Sequence, residues 1–234
     1  MSETLKIGSI DIEIHRKDVK NLNITVHPPL GDVRVSAPLS MSETAVRMAI
    51  IGRLTWIKKQ QADFNEQRRQ SKREMMSGES HYLWGKHYRL NVIERHGKHV
   101  IKKHGHWLDL YVSPNSTVEN RRKVIEEFYR SELKIALDEL LVEWQKRLQV
   151  KMNAYGIRKM KTKWGSCNTD AARTLFNLEL AKKPYECLEY IVVHELVHLL
   201  VRTHNDEFKA LMDLHVPDWK QRKVLLKDQP LTDF

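Results

Sequence analysis

No run of apolar residues in this chain approaches the roughly 20 needed to cross a bilayer. The opening MSETLKIGSIDIEIHRK also lacks the apolar core and cleavage site of a secretion signal. A cytoplasmic protein without membrane attachment is therefore expected. Cysteine is scarce: Cys167 and Cys187 alone occur in 234 residues, so no disulfide framework is implied and a reducing compartment suits the chain. No internal repeat or low-complexity tract is visible, which argues against solenoid and fibrous architectures.

What is present is an ordinary folding composition with an excess of positive charge. Hydrophobic residues make up 41% of the chain, enough to bury a substantial core in one large domain or in a main domain with a smaller partner. Lys and Arg exceed Asp and Glu by 40 to 30, a net +10. Such an excess reads either as a solvated basic surface or as a surface for nucleic acid. The charges are spread along the chain, with clusters at Arg68-Arg69, Lys102-Lys103, Arg121-Arg122-Lys123 and across Arg158, Lys159, Lys161 and Lys163. No nucleic-acid recognition module accompanies them.

Apolar alternation predicts strands over Leu5 to Ile14, Leu22 to His27 and Asp32 to Ser36, broken by Pro28-Pro29-Leu30-Gly31. A helix follows from Ser42 through Ile57, then a stretch without periodicity. Strands return at His81–Trp84, His87–Ile93, His99–Lys103 and Trp107–Val112, in the pattern of an antiparallel meander. A long helix spans Val118 to Val150. Two short strands, Arg158–Trp164 and Thr174–Leu178, flank the polar loop GSCNTDAAR, and Pro184 opens a further helix. Segregated strands and helices give an α+β class. The expected division is a β-rich module with one helix over 1–115 and a second domain over 116–234.

That second domain contains IVVHELVHLLVRTH, in which His194, Glu195 and His198 interrupt an apolar helix. Side chains four apart share one helical face, so the two imidazoles can meet one metal ion while Glu195 lies beside its open side. Burying these groups among Ile191, Val192, Val193, Leu196 and Val197 is costly unless something pairs with them. His204 can join them only if the helix ends near Leu200 to Arg202. β-Branched Val201 and Thr203 suit such a stop, and Thr203 or Asn205 can cap a new helix at Asp206-Glu207. Metzincins place a glycine where Val201 stands, so the turn must differ from theirs.

Taken together, KWGSC at 163–167, LFNLEL at 175–180, Pro184 and EYIVVHELVHLLVRTHNDEF at 189–208 resemble the YgjP-like metallopeptidases, relatives of the SprT-like and WLM zinc peptidases. Weaker echoes at VRVSAPLSMS, WIKKQ and GESHYLWGKHYRL extend the resemblance upstream. It implies a zincin-like catalytic domain with one Zn²⁺ held by His194, His198 and His204, and Glu195 as catalytic base. It also marks Trp164, Gly165, Ser166 and Asn177. A strand there can form a cleft wall that holds an extended peptide, with Gly165 allowing close approach. Trp164 reads more readily as a core aromatic and Cys167 as a small buried hydrophobe, whereas Asn177 reads equally as a hairpin or helix anchor and as a substrate contact. The family's phenylalanine-tryptophan pair is replaced here by Phe208-Lys209, which changes the wall near the third histidine.

Two functions compete at this point. One is a zinc-dependent peptidase acting on a peptide or protein substrate. The other is a basic nucleic-acid-associated protein with a structural zinc, with a hybrid in which a peptidase acts on DNA-bound proteins.

Overall fold

The structure, a computed structural model, describes residues 2–27, 31–66 and 74–228. The turn read at Pro28-Pro29-Leu30 and the linker at 67–73 lie outside the described residues. The chain divides into two compact units, Met1–Arg69 and Gln70–Thr232.

In the first unit β1 (Ser2–Ile7) and β2 (Ile10–Lys17) form a hairpin where one continuous strand was expected. The two-residue loop explains the break: Gly8 sits at φ +62°, a conformation that a side-chain-bearing residue adopts only with strain. β3 (Asn23–His27) and β4 (Asp32–Pro38) complete a sheet of order β1-β2-β4-β3, with β2 and β4 parallel. Ile10, Ile12 and Ile14 alternate inward with Asp11 and Glu13 outward, as do Val33, Val35 and Ala37 with Asp32 and Arg34. Two helices, α1 (Glu43–Ile51) and α2 (Leu54–Glu66), stand where one was expected. Val46 and Ile50 of α1 and Ile57 of α2 join the sheet's core. The Ser42 hydroxyl caps α1 by accepting from Ala45 N at 3.2 Å.

The second unit contains β5 (Ser80–Leu83), β6 (Lys86–Glu94), β7 (Val100–His104) and β8 (Trp107–Val112) in the order β5-β6-β8-β7. β8 returns between β6 and β7 and runs parallel to β6, so this sheet is not the meander expected from strand spacing. Helix α3 (Val118–Leu148) is capped by Thr117, and one face of it, from Ile125 through Leu133, Leu137, Leu141 and Trp144 to Leu148, is buried against the sheet and the elements that follow. β9 (Ala154–Arg158), β10 (Gly165–Asn168) and β11 (Arg173–Asn177) form a small sheet of order β10-β11-β9, which leaves β10 at its edge. A 3-10 helix (Leu178–Lys182), α4 (Tyr185–Val197), α5 (Asp206–His215) and α6 (Trp219–Asp228) close the unit.

The division at Arg69–Gln70 replaces the one expected between 115 and 116. Leu83, Leu90, Leu108 and Leu110 of the second sheet share one core with Leu133 and Leu137 of α3 and with Leu188 and Val192 of α4. A boundary through that core would expose apolar side chains on both sides. No described helix is long and apolar enough to cross a membrane.

Candidate metal centre

Helix α4 is buried along most of its length, with Leu188, Ile191, Val192, Val193, Leu196 and Val197 all in the core. Its entry is fixed by the hairpin turn between β5 and β6. Trp84 N donates to Ala181 O at 2.9 Å, the Trp84 ring meets Tyr185 edge-on at 5.5 Å, and Gly85 rests against Pro184. A Cβ at Gly85 would come to 3.0 Å from Pro184 Cγ, at φ +74°, so only glycine fits this contact without strain. Further along, Glu189 accepts from Trp144 Nε1 at 3.2 Å and from Arg222 at 2.6 Å, tying α4 to α3 and α6.

The helix stops where the third histidine requires. Leu199 N and Leu200 N turn back to Leu196 O and Val197 O at 3.0 and 2.9 Å, tightening the last turn after His198. No residue from 198 to 205 has a positive φ, so this turn needs no glycine, and Val201 buries its side chain there. Asn205, not Thr203, caps α5, accepting from Phe208 N at 3.0 Å. His204 therefore stands just before the cap, facing the other two.

The three imidazoles converge. Their ring centroids are 5.0 Å apart for His194–His198, 4.9 Å for His194–His204 and 4.7 Å for His198–His204, and one ring nitrogen from each lies within 4.8 Å of the others. His194 Nε2 and His204 Nε2 are 3.1 Å apart. Two nitrogens on a tetrahedral zinc, each about 2.05 Å from it, are separated by about 3.3 Å. His198 Nδ1–H donates to Val201 O at 3.2 Å, which leaves the Nε2 lone pair free to bind a metal. Burial, reinforced by the neighbouring histidines and Lys223, pushes His194 down to about 3, and burial lowers His198 as well. Both rings are neutral at pH 7, the form that ligates. His194 Nε2 faces His204 Nε2, whereas His194 Nδ1 is buried with no hydrogen-bond partner. The donor set fits a zinc ion.

Phe208 forms the base of this cluster, with its ring centroid 5.0, 4.9 and 4.7 Å from His194, His198 and His204. Tyr190 meets His194 edge-on at 5.8 Å and stacks on Trp219 at 6.3 Å. Sequence reasoning missed both supports. Tyr190 lies four residues before His194 on the same helical face, a spacing that could have revealed it.

Glu195 is only 4% exposed, and burial raises its carboxyl to about 7 against the opposing pull of Lys163. It lies directly on β10. A Cβ built on Gly165 would approach Glu195 Oε1 to 2.5 Å and Cγ to 2.8 Å, so the absence of a side chain at 165 is what makes room for the carboxylate. Cys167, two residues on and half-buried, feels the Glu195 charge and has its thiol raised by burial, which suits a packed thiol better than a nucleophile. Ser166 alternates to the other face of β10.

Trp164 is half-buried against the core, with Lys183 Nζ 5.4 Å over its ring. Asn177 is 2% exposed and fully engaged. Its Nδ2 donates to Met160 O at 2.7 Å and Lys163 O at 2.8 Å, while Oδ1 accepts from Glu179 N at 3.2 Å. These bonds hold 159–164 as a fixed loop where a strand was expected, and they give Asn177 the anchoring role rather than an open position on the cleft. His215 packs edge-on against Trp144 at 6.3 Å, and His99 pairs with Ser113, so neither joins the histidine cluster.

A mixed α+β unit that gathers three imidazoles beside a buried carboxylate is the framework of a metallohydrolase. The chain belongs to the YgjP-like family, whose metallopeptidase-domain model matches residues 20–229. No curated protein matches it. Two solved structures are similar over part of the chain. The metallopeptidase zymogen of Pyrococcus abyssi abylysin is 20% identical, with a TM-score of 0.37, covering 42% of this chain and 99% of that one. The metallopeptidase zymogen of Methanocaldococcus jannaschii jannalysin is 19% identical, with a TM-score of 0.33, covering 40% and 92%.

Proposed function

We propose that this chain is a zinc-dependent peptidase in which His194, His198 and His204 hold one Zn²⁺ and Glu195 is the general base. The observation that supports the reading is that Glu195, a buried carboxylate next in sequence to His194, packs against Gly165 of the edge strand β10. Zinc bound there supplies a Lewis acid that lowers the pKa of water toward about 7 and polarises a carbonyl. Glu195, raised to about 7, is poised to take a proton from water near neutral pH and return it to the departing amine. The exposed edge of β10 offers backbone N–H and C=O groups to an extended peptide, and Gly165 lets that peptide approach the base closely.

The test is Glu195→Gln, which keeps the shape and removes the base. The variant retains one zinc per chain and its fold, and loses peptide hydrolysis by roughly 10²–10⁴-fold. Undiminished hydrolysis overturns the assignment. A nucleic-acid protein with a structural zinc predicts indifference to this substitution.

A further inference from the structure

The β5-β6-β8-β7 sheet turns Leu90, Leu108, Leu110 and Val112 into the core that it shares with α3. Strand alternation sends the side chains between them to the opposite face. There the strand register decides which residues meet. Trp107, 43% exposed, lies between Arg89 and His104, Asp109 lies between Asn91 and Lys102, and Tyr111 lies between Ile93 and Val100. On β5, Tyr82 stands opposite His87 with the two rings edge-on at 5.4 Å. The Arg95 guanidinium lies 4.5 Å over the Tyr111 ring, and Lys102 Nζ lies 5.9 Å from the same ring. Arg89, Arg95 and Lys102 are all exposed.

A sheet face that only meets water carries both signs in pairs. The first unit shows this, with Glu13 bound to Arg34 and His15 and no aromatic ring in its four strands. The face around Trp107 differs in both respects. Alternation brings it rings and three cations against one carboxylate, Asp109, which accepts from Asn91 Nδ2 at 2.7 Å. Unpaired bases stack on aromatic rings and on guanidinium planes, and cations follow the phosphates. Trp107 and Tyr111 are four residues apart on one strand, about 13 Å, so each meets a different base of an extended strand. A duplex hides those base faces, and an acidic peptide would use the cations without the rings. Asp109 stands in the row between the two rings. Its carboxylate repels phosphate but can accept from a 2′-hydroxyl, a donor that the DNA sugar lacks.

We propose that this face of the sheet binds single-stranded RNA, with bases on Trp107 and on the stacked Tyr111 and Arg95, and phosphates on Arg89 and Lys102. The proposal stands apart from the peptidase reading and is tested without turnover. Fluorescence anisotropy on the full-length chain compares labelled decamers of one mixed sequence as single-stranded RNA, single-stranded DNA and duplex RNA, with an acidic decapeptide as a fourth probe. The single-stranded RNA binds about tenfold tighter than any of the other three. Trp107→Ala weakens it about tenfold, whereas Trp107→Phe retains most of the affinity. Arg89→Gln and Lys102→Gln each lower the slope of log affinity against log salt by about one, and Lys134→Gln on the exposed face of α3 leaves binding unchanged. The Gln variants keep every ring, so they test the face even where Trp107→Ala fails to fold. No RNA binding at low salt, or binding that survives Trp107→Ala and both Gln substitutions, overturns the proposal. Equal affinity for the DNA or the duplex also overturns it, and an acidic peptide bound as tightly as the RNA does so in favour of a protein partner.

Discussion

Gly165→Ala adds one methyl group, and the structure says where it goes. The new Cβ lies 2.5 Å from Glu195 Oε1, 2.8 Å from Cγ and 2.9 Å from Cδ, all well inside van der Waals contact. Carboxylate oxygens alone could swing aside, but Cγ belongs to the root of the side chain, so Glu195 must shift as a whole or β10 must move away. Overpacking of this kind costs about 1–3 kcal/mol of stability. A displacement of about 1 Å at a catalytic group costs on the order of 100-fold in rate. The three atoms nearest this Cβ all belong to Glu195 and none to a histidine, so the variant is expected to keep its zinc. The assay combines zinc content by mass spectrometry, thermal unfolding, and kcat/KM on a fluorogenic peptide. Full zinc, a modest loss of stability and a rate reduced about 100-fold are expected. An alanine variant with undiminished rate would refute the claim that the bare backbone at 165 sets the position of Glu195.

Three other expectations follow from the same contacts. Phe208→Ala removes the buried ring under all three histidines, so about 3–5 kcal/mol of stability is lost and zinc affinity falls, measured by unfolding and by chelator competition. Asn177→Ala deletes the bonds to Met160 O, Lys163 O and Glu179 N; faster amide exchange across 159–164 and a cost of about 2–4 kcal/mol are expected, whereas unchanged exchange would deny the anchoring role. Lys183 is 3% exposed, and burial lowers it from 10.5 to about 8. Its folded form binds fewer protons than the unfolded chain between those values. Stability therefore rises as pH climbs from about 8 to 10.5, by up to about 3 kcal/mol, and Lys183→Met removes that slope in urea titrations.

The convergence of the three histidines was legible because helical periodicity and capping chemistry are local. His194 and His198 followed from a four-residue spacing, and His204 from the need to end the helix before Asn205. Gly165 was marked as a point of close approach, but its partner was not, since β10 and α4 meet only after the chain has passed through β11 and the 3-10 helix. Long-range pairing defeated the rest. Strand spacing cannot show that β8 inserts parallel to β6, nor that the sheet it completes shares a core with α3 and α4, which moved the unit boundary to Arg69–Gln70. The segment Arg158–Trp164 looked like a strand, yet Asn177 supplies the bonds that hold most of it as a loop.

Anomalous diffraction at the zinc absorption edge, on crystals of the full-length chain grown with Zn²⁺, tests the central assignment most directly. One peak is predicted, about 2.0–2.1 Å from a ring nitrogen of each of His194, His198 and His204. A crystal with no peak among these three rings, or with zinc held by other residues instead, would contradict it.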